Sequence, residues 1–178
     1  MTKSQTSVKV WGSDDVDRSL TRIAHEILER NAETGGVVII GMQTGGTWLA
    51  ELISARIGKM GSSGVPHTGV LDVSMYRDDI AIRPAAPVAS TDVPVDLTGR
   101  TVILVDDVLF TGRTVRAALE ALNDHGRPRA VQLAVLVDRG HRELPIRPDF
   151  VGKNLPTHVL DEVSCGPEGV FITPGGGS

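Results

Sequence analysis

Residues Val102 to Thr114, Val-Ile-Leu-Val-Asp-Asp-Val-Leu-Phe-Thr-Gly-Arg-Thr, carry the most legible chemistry in this chain of 178 residues. An apolar run delivers two adjacent carboxylates, Asp106 and Asp107, and a Thr111-Gly112-Arg113-Thr114 turn then opens an amphipathic stretch. The first amides of a helix have no partner inside it, and with the helix dipole they favour an anion. Gly112 lets backbone approach that anion closely, and the Thr111 and Thr114 hydroxyls add donors. The carboxylates can accept from sugar hydroxyls. A ribose 5-phosphate needs both halves at this spacing. The plainer alternative makes Thr111 a helix cap and the acids ordinary strand-end charges; the order acids, turn, helix speaks against it.

The elements that position this segment alternate along the chain. Residues 1–12 are polar and read as a loose end. Ser13 with Asp14 and Asp15 makes a helix start, with acids at the positive end of the dipole. Val16, Leu20, Ile23 and Ile27 then recur at helical spacing, predicting a helix over 14–31. Val37 to Ile40 reads as a buried strand, 41–46 as a loop, and 47–57 as a helix with Leu49, Leu52, Ile53 and Ile57 inward. His67 to Met75 alternates like a strand. The polar, proline-bearing segment 76–94 holds Arg77, Asp78, Asp79 and Arg83, and its length suggests a lid or binding loop. Thr101 to Val105 is a buried strand, and 113–125 a helix with Val115, Ala118, Leu119 and Leu122 inward. Residues 130–137 form another strand, 138–146 a charged loop, 150–152 and 159–163 closing elements, and 173–178 a free tail.

Strand, helix and strand in this order predict one α/β domain spanning 1–178, built on a doubly wound parallel sheet. In such sheets ligands bind outside the carboxyl ends of the strands. The loops 41–46, 106–113 and 138–146 occupy those ends and should converge on one site.

Composition bounds the rest. Hydrophobic residues make up 40% of the chain and aromatics only 3%, so the core must be aliphatic. A single cysteine, Cys165, excludes an internal disulfide framework and fits a reducing compartment. No signal peptide and no membrane-length apolar run is visible, so a cytoplasmic protein is expected. Net charge is −4, yet between His125 and Leu155 six basic residues face three acids. That local excess is either a solvated face or a contact surface for an anionic partner.

Other phosphate motifs fit less well. The Gly41 to Thr47 loop has the glycine spacing of a Walker loop but threonine where lysine is required. No Gly-x-Gly-x-x-Gly follows a strand, and no His/Cys cluster suggests zinc.

The segment from Val102 to Thr114 resembles the phosphoribosyl pyrophosphate (PRPP) signature of type I phosphoribosyltransferases. More narrowly, the chain resembles the PyrR family of pyrimidine-operon attenuation regulators, which are also uracil phosphoribosyltransferases. Its marks are Leu20 to Ile27, Tyr76-Arg77-Asp78-Asp79, and above all Leu136 to Arg147 followed by Val151-Gly152-Lys153-Asn154. The resemblance covers about residues 14–157.

The resemblance implies the type I phosphoribosyltransferase fold, with a small hood and a flexible loop. It also implies the reaction of uracil with PRPP to give UMP and pyrophosphate. Asp106 and Asp107 would hold the ribose hydroxyls, with Arg77 as a third catalytic residue closing over pyrophosphate. Thr44, Gly45, Phe110, Thr111, Gly112, Arg113 and Thr114 would complete the PRPP and nucleotide site. Val137, Asp138, Arg139 and Gly140 would line the uracil site. Magnesium would ride on substrate oxygens near Asp106 and Asp107 rather than on a dedicated set of side chains. His141, beside that loop, is either a site residue or a solvated one.

Two departures stand out. The family's first loop reads Thr-Arg-Gly, whereas this chain has Thr44-Gly45-Gly46 and lacks a bidentate phosphate donor. Weakened pyrophosphate binding or catalysis is the expected consequence. Phe110 stands where the family often has tyrosine.

The same family binds a hairpin in pyrimidine-operon messenger RNA, more tightly with uridine nucleotides (UMP or UTP). The matching positions are Thr21, Arg22, His25 and Arg30 on the first helix, with Arg142, Arg147 and Lys153. Arginines pair with phosphates and stack on unpaired bases. A homodimer or larger homo-oligomer is implied. Because the 138–146 loop leads to Arg142 and Arg147, nucleotide in the site is expected to order the RNA-binding face.

Overall fold

The structure is a computed structural model and describes residues 6–32, 36–77 and 90–175. Eight strands, β1 (Val8–Gly12), β2 (Val37–Met42), β3 (His67–Leu71), β4 (Thr101–Leu109), β5 (Ala130–Asp138), β6 (Phe150–Asn154), β7 (Glu162–Gly166) and β8 (Gly169–Thr173), form two sheets. Three α-helices accompany them: α1 (Ser13–Arg30), α2 (Thr47–Met60) and α3 (Arg113–Ala121).

The main sheet has the order β3-β2-β4-β5-β6, and every pairing in it is parallel. Its strands bury both faces, which is why they read as continuous aliphatic runs. Val37, Ile39, Ile103 and Val105 face one side, where α1 and α2 pack through Leu20, Ile23, Ile27, Leu49 and Ile53. Val38, Ile40, Val102 and Leu104 face the other, against Val115, Ala118 and Ala121 of α3. Strand order turns back between β2 and β4: β3 follows β2 on one side, β5 follows β4 on the other. A crevice opens at such a switch point.

The second sheet, antiparallel with order β1-β8-β7, joins the two ends of the chain. It seats Val170 in the α1 side of the core. This hood corrects three expectations. The end read as loose over 1–12 is a strand from Val8 onward, with Val8 opposite Ile172. Thr173 closes β8 opposite Glu162, and the Gly175 amide donates to Asp161 at 3.2 Å, so the expected free tail is tied in that far. The closing element read over 159–163 instead runs from Glu162 to Gly166, while Val159 and Leu160 stay exposed. These partners lie at opposite ends of the chain, where local patterning has no view of them.

Smaller differences have local causes. Gly12 caps α1, its amide bonded to the Asp15 carboxylate at 3.0 Å, so Ser13 is the first helical residue rather than the cap. Leu52 and Leu119, read as inward, are 37% and 40% exposed; Ala50, Ala117 and Ala121 take the close-packed positions. β3 ends at Leu71, and Met75 is exposed beyond it. β4 runs on through Asp106 and Asp107 to Leu109, rather than ending at Val105. Four residues of the third expected helix, Leu122–His125, tighten into a 3₁₀ turn. Asp78, Asp79, Arg83 and most of the expected lid lie outside the described residues.

Candidate active site

The two carboxylates sit where β4 changes habit. Val105 and Val108, three residues apart, pack into the same cluster, so strict alternation slips across Asp106 and Asp107. Each acid folds back on the chain. The Asp107 amide donates to Asp106 Oδ1 at 2.9 Å, and the Val108 amide to Asp107 Oδ1 at 2.8 Å. Burial pushes the Asp106 carboxyl well above the usual carboxylate range, and the Asp107 charge pushes it further; Arg77 pulls in the opposite direction. Arg77 is therefore within electrostatic reach of Asp106.

The hood closes over them. Burial raises the Cys165 thiol to about 12, and the charges of Asp107 and Asp106 add to that shift. A strand from the far end of the chain thus overlooks the carboxylates, and the thiol there is inert rather than nucleophilic.

On the β2 side of the crevice, the Gly45-bearing loop lies against β4. A Cβ placed on Gly46 would run into the Val105 carbonyl, and one on Gly45 into the Asp107 carboxyl carbon and both its oxygens. The Asp107 carboxylate therefore fills the volume in which a side chain at position 45 would start. The Gln43–Thr44 peptide is cis. Thr47, at the start of α2, keeps a buried hydroxyl with no hydrogen-bond partner among the described residues. In the sequence Thr47 stands out only as a replacement for a Walker lysine, with no reason to expect a buried hydroxyl there.

The 111–114 turn, termed the phosphate turn for the group it is expected to hold, has the expected turn-then-helix backbone. Gly112 adopts φ +93°, ψ −2°, a left-handed conformation open to glycine, and α3 starts immediately after it. The Arg113 amide reaches Thr111 Oγ1 at 3.4 Å, and Arg113 Nε pairs with Glu143 at 2.8 Å.

The third wall is the 138–146 loop at the end of β5, and it is laced to the phosphate turn. The Glu143 and Leu144 amides both donate to the Thr111 carbonyl, at 3.0 and 3.2 Å, and the Arg139 amide donates to the Leu109 carbonyl. Arg139 is 6% exposed, and burial lowers its pKa. Its guanidinium lies 4.1 Å from the centre of the Phe110 ring and donates to Thr157 Oγ1 and the His158 carbonyl. His141, at φ +62°, meets the edge of Phe110 and bonds the Thr157 carbonyl at 2.8 Å. Thr157 and His158, absent from the sequence-based set, thus shape the base loop; their sequence distance hid them. Tyr76 is drawn away, its hydroxyl bonded to Asp124.

The residues carried over for RNA lie on α1 (Thr21, Arg22, His25, Arg30), on the loop between β5 and β6 (Arg142, Arg147) and on the edge strand β6 (Lys153). Arg22 Nη2 donates to the Val151 and Gly152 carbonyls at 3.0 and 2.7 Å, which sets it beside Lys153. Lys153 lies over the Trp11 ring, and His25 and Arg147 are exposed. Thr21 Oγ1 bonds the Asp17 carbonyl at 3.0 Å, and Arg30 pairs with Asp149 at 2.8 Å. Arg142 differs from the others: it is turned inward.

Comparison with known proteins settles the lineage of this arrangement. Residues 13–167 match the family described as the phosphoribosyl transferase domain. The chain is 55% identical over 172 residues to the bifunctional protein PyrR of a Roseiflexus species, covering 92% of this chain and 93% of that one. It belongs to the PyrR family of phosphoribosyltransferases. A second member, bifunctional protein PyrR of Deinococcus radiodurans, is 57% identical over 149 residues, covering 83% of this chain and 81% of the other. Among solved structures, a hypoxanthine phosphoribosyl transferase of Trypanosoma cruzi superposes with a TM-score of 0.68 at 17% identity, over 90% of this chain and 84% of that one. A hypoxanthine phosphoribosyltransferase of Staphylococcus aureus gives 0.66 at 18% identity, over 84% and 77%. These two show the fold shared across the phosphoribosyltransferases, a parallel sheet with a separate hood. Among the described residues no helix is long and apolar enough to cross a membrane.

Proposed function

We propose that this PyrR-family protein transfers phosphoribose from PRPP to uracil and that, holding a uridine nucleotide, it binds the leader of a pyrimidine-operon messenger RNA. The observation that carries the enzymatic half is the convergence of three loops at the carboxyl ends of β2, β4 and β5. Paired carboxylates, a phosphate turn and an arginine–phenylalanine base loop meet there. Uracil N1 forms a bond to the anomeric carbon as the bond from that carbon to pyrophosphate breaks; the pyrophosphate oxygen takes the bonding pair, and the N1 proton passes to the departing pyrophosphate or to water. Positive character develops on the sugar and negative charge on the departing oxygens. Asp106 and Asp107 hold the ribose hydroxyls and orient that carbon. Val137, Asp138, Arg139 and Gly140 flank the base. Thr44 and Gly45 line the pyrophosphate side, and Arg77 meets the leaving group.

The donor set fits a magnesium ion brought in by substrate. Two adjacent carboxylates would offer hard oxygens to such an ion. Held near Asp106 and Asp107, such an ion would neutralise charge on the leaving pyrophosphate.

For RNA, the exposed cations of α1 and β6 form a local basic surface on an acidic protein, completed across a homodimer. A cytoplasmic location follows from its single reduced cysteine and its messenger RNA partner. One observation favours a second reading, a nucleotide-sensing regulator with weak or no turnover: the Asp107 carboxylate occupies the place of a family arginine at Gly45. Two assays decide. UMP formation from uracil and PRPP tests catalysis, and a gel shift of pyrimidine-leader RNA with and without UMP tests regulation. No turnover with nucleotide-dependent RNA binding selects the regulator; turnover without RNA binding selects a salvage enzyme.

A further inference from the structure

Arg142 is the one member of the expected RNA-binding set whose guanidinium faces the interior of the site loops. Each of its three nitrogens is engaged. Nε donates to the Ile146 carbonyl at 2.9 Å, Nη1 to the Phe110 carbonyl at 2.7 Å, and Nη2 to both Asp138 carboxylate oxygens at 2.9 and 2.7 Å. Its side chain is 23% exposed and that of Asp138 12%. The three acceptors belong to three functional pieces. Phe110 directly precedes the phosphate turn. Asp138 opens the base loop, where its carboxylate also accepts from the Gly140 amide at 3.0 Å. Ile146 precedes Arg147, an exposed cation, and its side chain lies within 3.1 Å of where a Cβ on Gly112 would stand.

We infer that Arg142 is a positioning residue that fixes the phosphate turn, the base loop and the Arg147 segment to one another, rather than a contact to RNA phosphate. A planar fork with a donor in each of three directions is what this junction uses, and a lysine ammonium cannot span it. Nucleotide that seats its phosphate on 111–114 and its base against 137–140 therefore sets the position of Arg147 through one side chain. The RNA part of this inference rests on the proposed function above; the nucleotide part does not.

The test uses the full-length protein with UMP alone, then with leader RNA. Arg142→Gln and Arg142→Lys are compared by calorimetry and by gel shift over a range of salt. UMP affinity without RNA is expected to fall about tenfold in both variants, at temperatures well below unfolding. The enhancement of RNA binding by UMP is expected to shrink toward one. The slope of log RNA affinity against log salt is expected to stay as in wild type, because no phosphate contact is lost. The inference is overturned if UMP affinity is unchanged, if Arg142→Lys restores wild-type behaviour, or if the salt slope in Arg142→Gln falls by about one. A change in melting temperature alone, with nucleotide affinity intact, also overturns it. If wild type does not bind leader RNA, the RNA reading fails while the UMP arm still decides the role of Arg142. Should Arg142→Gln not fold, Arg142→Lys carries the same measurements.

Discussion

Replacing Gly45 by alanine separates backbone effects from the collision with Asp107. Gly45 has no positive φ, so alanine meets no conformational penalty there. Its Cβ must fall on the Asp107 carboxyl group, and that group has to rotate away. Rotation forfeits the 2.8 Å bond from the Val108 amide. A hydrogen bond to a charged group contributes about 1.5–3 kcal/mol. The lower end applies, since Asp107 is half-buried and gains water as it leaves. A loss of about 1.5 kcal/mol lowers the melting temperature by about 3–6 °C in a domain of this size. The same free energy, read as lost ribose positioning, raises KM for PRPP roughly tenfold and leaves KM for uracil in place. Gly45→Arg carries the same Cβ and should share the thermal loss, while its guanidinium recovers part of the PRPP affinity. Thermal unfolding and initial-rate kinetics on the three proteins check this. If Gly45→Ala melts and binds PRPP like wild type, Asp107 is not held against this loop and the argument fails.

Gly112→Ala forces a left-handed φ on a residue with a Cβ, at about 1–2 kcal/mol, and presses on Ile146, whose nearest atom would be 3.0 Å away. A melting temperature lower by about 2–8 °C and weaker UMP binding are expected; unchanged values would show that the turn relaxes freely. Asp106→Asn tests the buried carboxylate. Because burial and the Asp107 charge raise the Asp106 pKa above its ordinary 3.8, its contribution to stability is full below that pH and is lost as pH rises through the folded value. Asparagine does not titrate; the variant should therefore match wild type near pH 4, exceed it in melting temperature at pH 7–8, and lose PRPP turnover. Equal pH profiles would contradict the raised value.

Much of this site was legible because its chemistry is local. The carboxylates, the phosphate turn and the start of α3 lie within thirteen consecutive residues, and Gly112 took the conformation its neighbours demanded. The buried strands were legible from aliphatic runs that only a sheet covered on both faces requires. What escaped was non-local. Val8 pairs with Ile172, and Thr157 supports Arg139; no periodicity reports such partners. Arg142 and Arg147 look alike in sequence, five residues apart and equally basic, yet one is clamped between carbonyls and the other is exposed. Charge pattern records the type of a side chain and is silent on its direction.

The three walls of the crevice are not equally firm, and the difference bears on which ligand the site favours. The phosphate turn and the base loop are bound to each other by the Thr111 carbonyl, the Arg113–Glu143 pair and the Arg142 fork. The pyrophosphate side has the Gly45 loop with an acid resting in the space of a basic side chain. A nucleoside monophosphate uses only the two interlocked walls. PRPP uses all three and must bring its most negative group toward Asp107. Without magnesium, Coulomb repulsion at that edge is expected to work against PRPP and to leave UMP untouched; a bound magnesium ion would offset it. The expected outcome is a site that holds UMP more firmly than magnesium-free PRPP, and titration of both ligands with and without magnesium checks it; equal affinities without magnesium would show that Asp107 does not weigh on the pyrophosphate side.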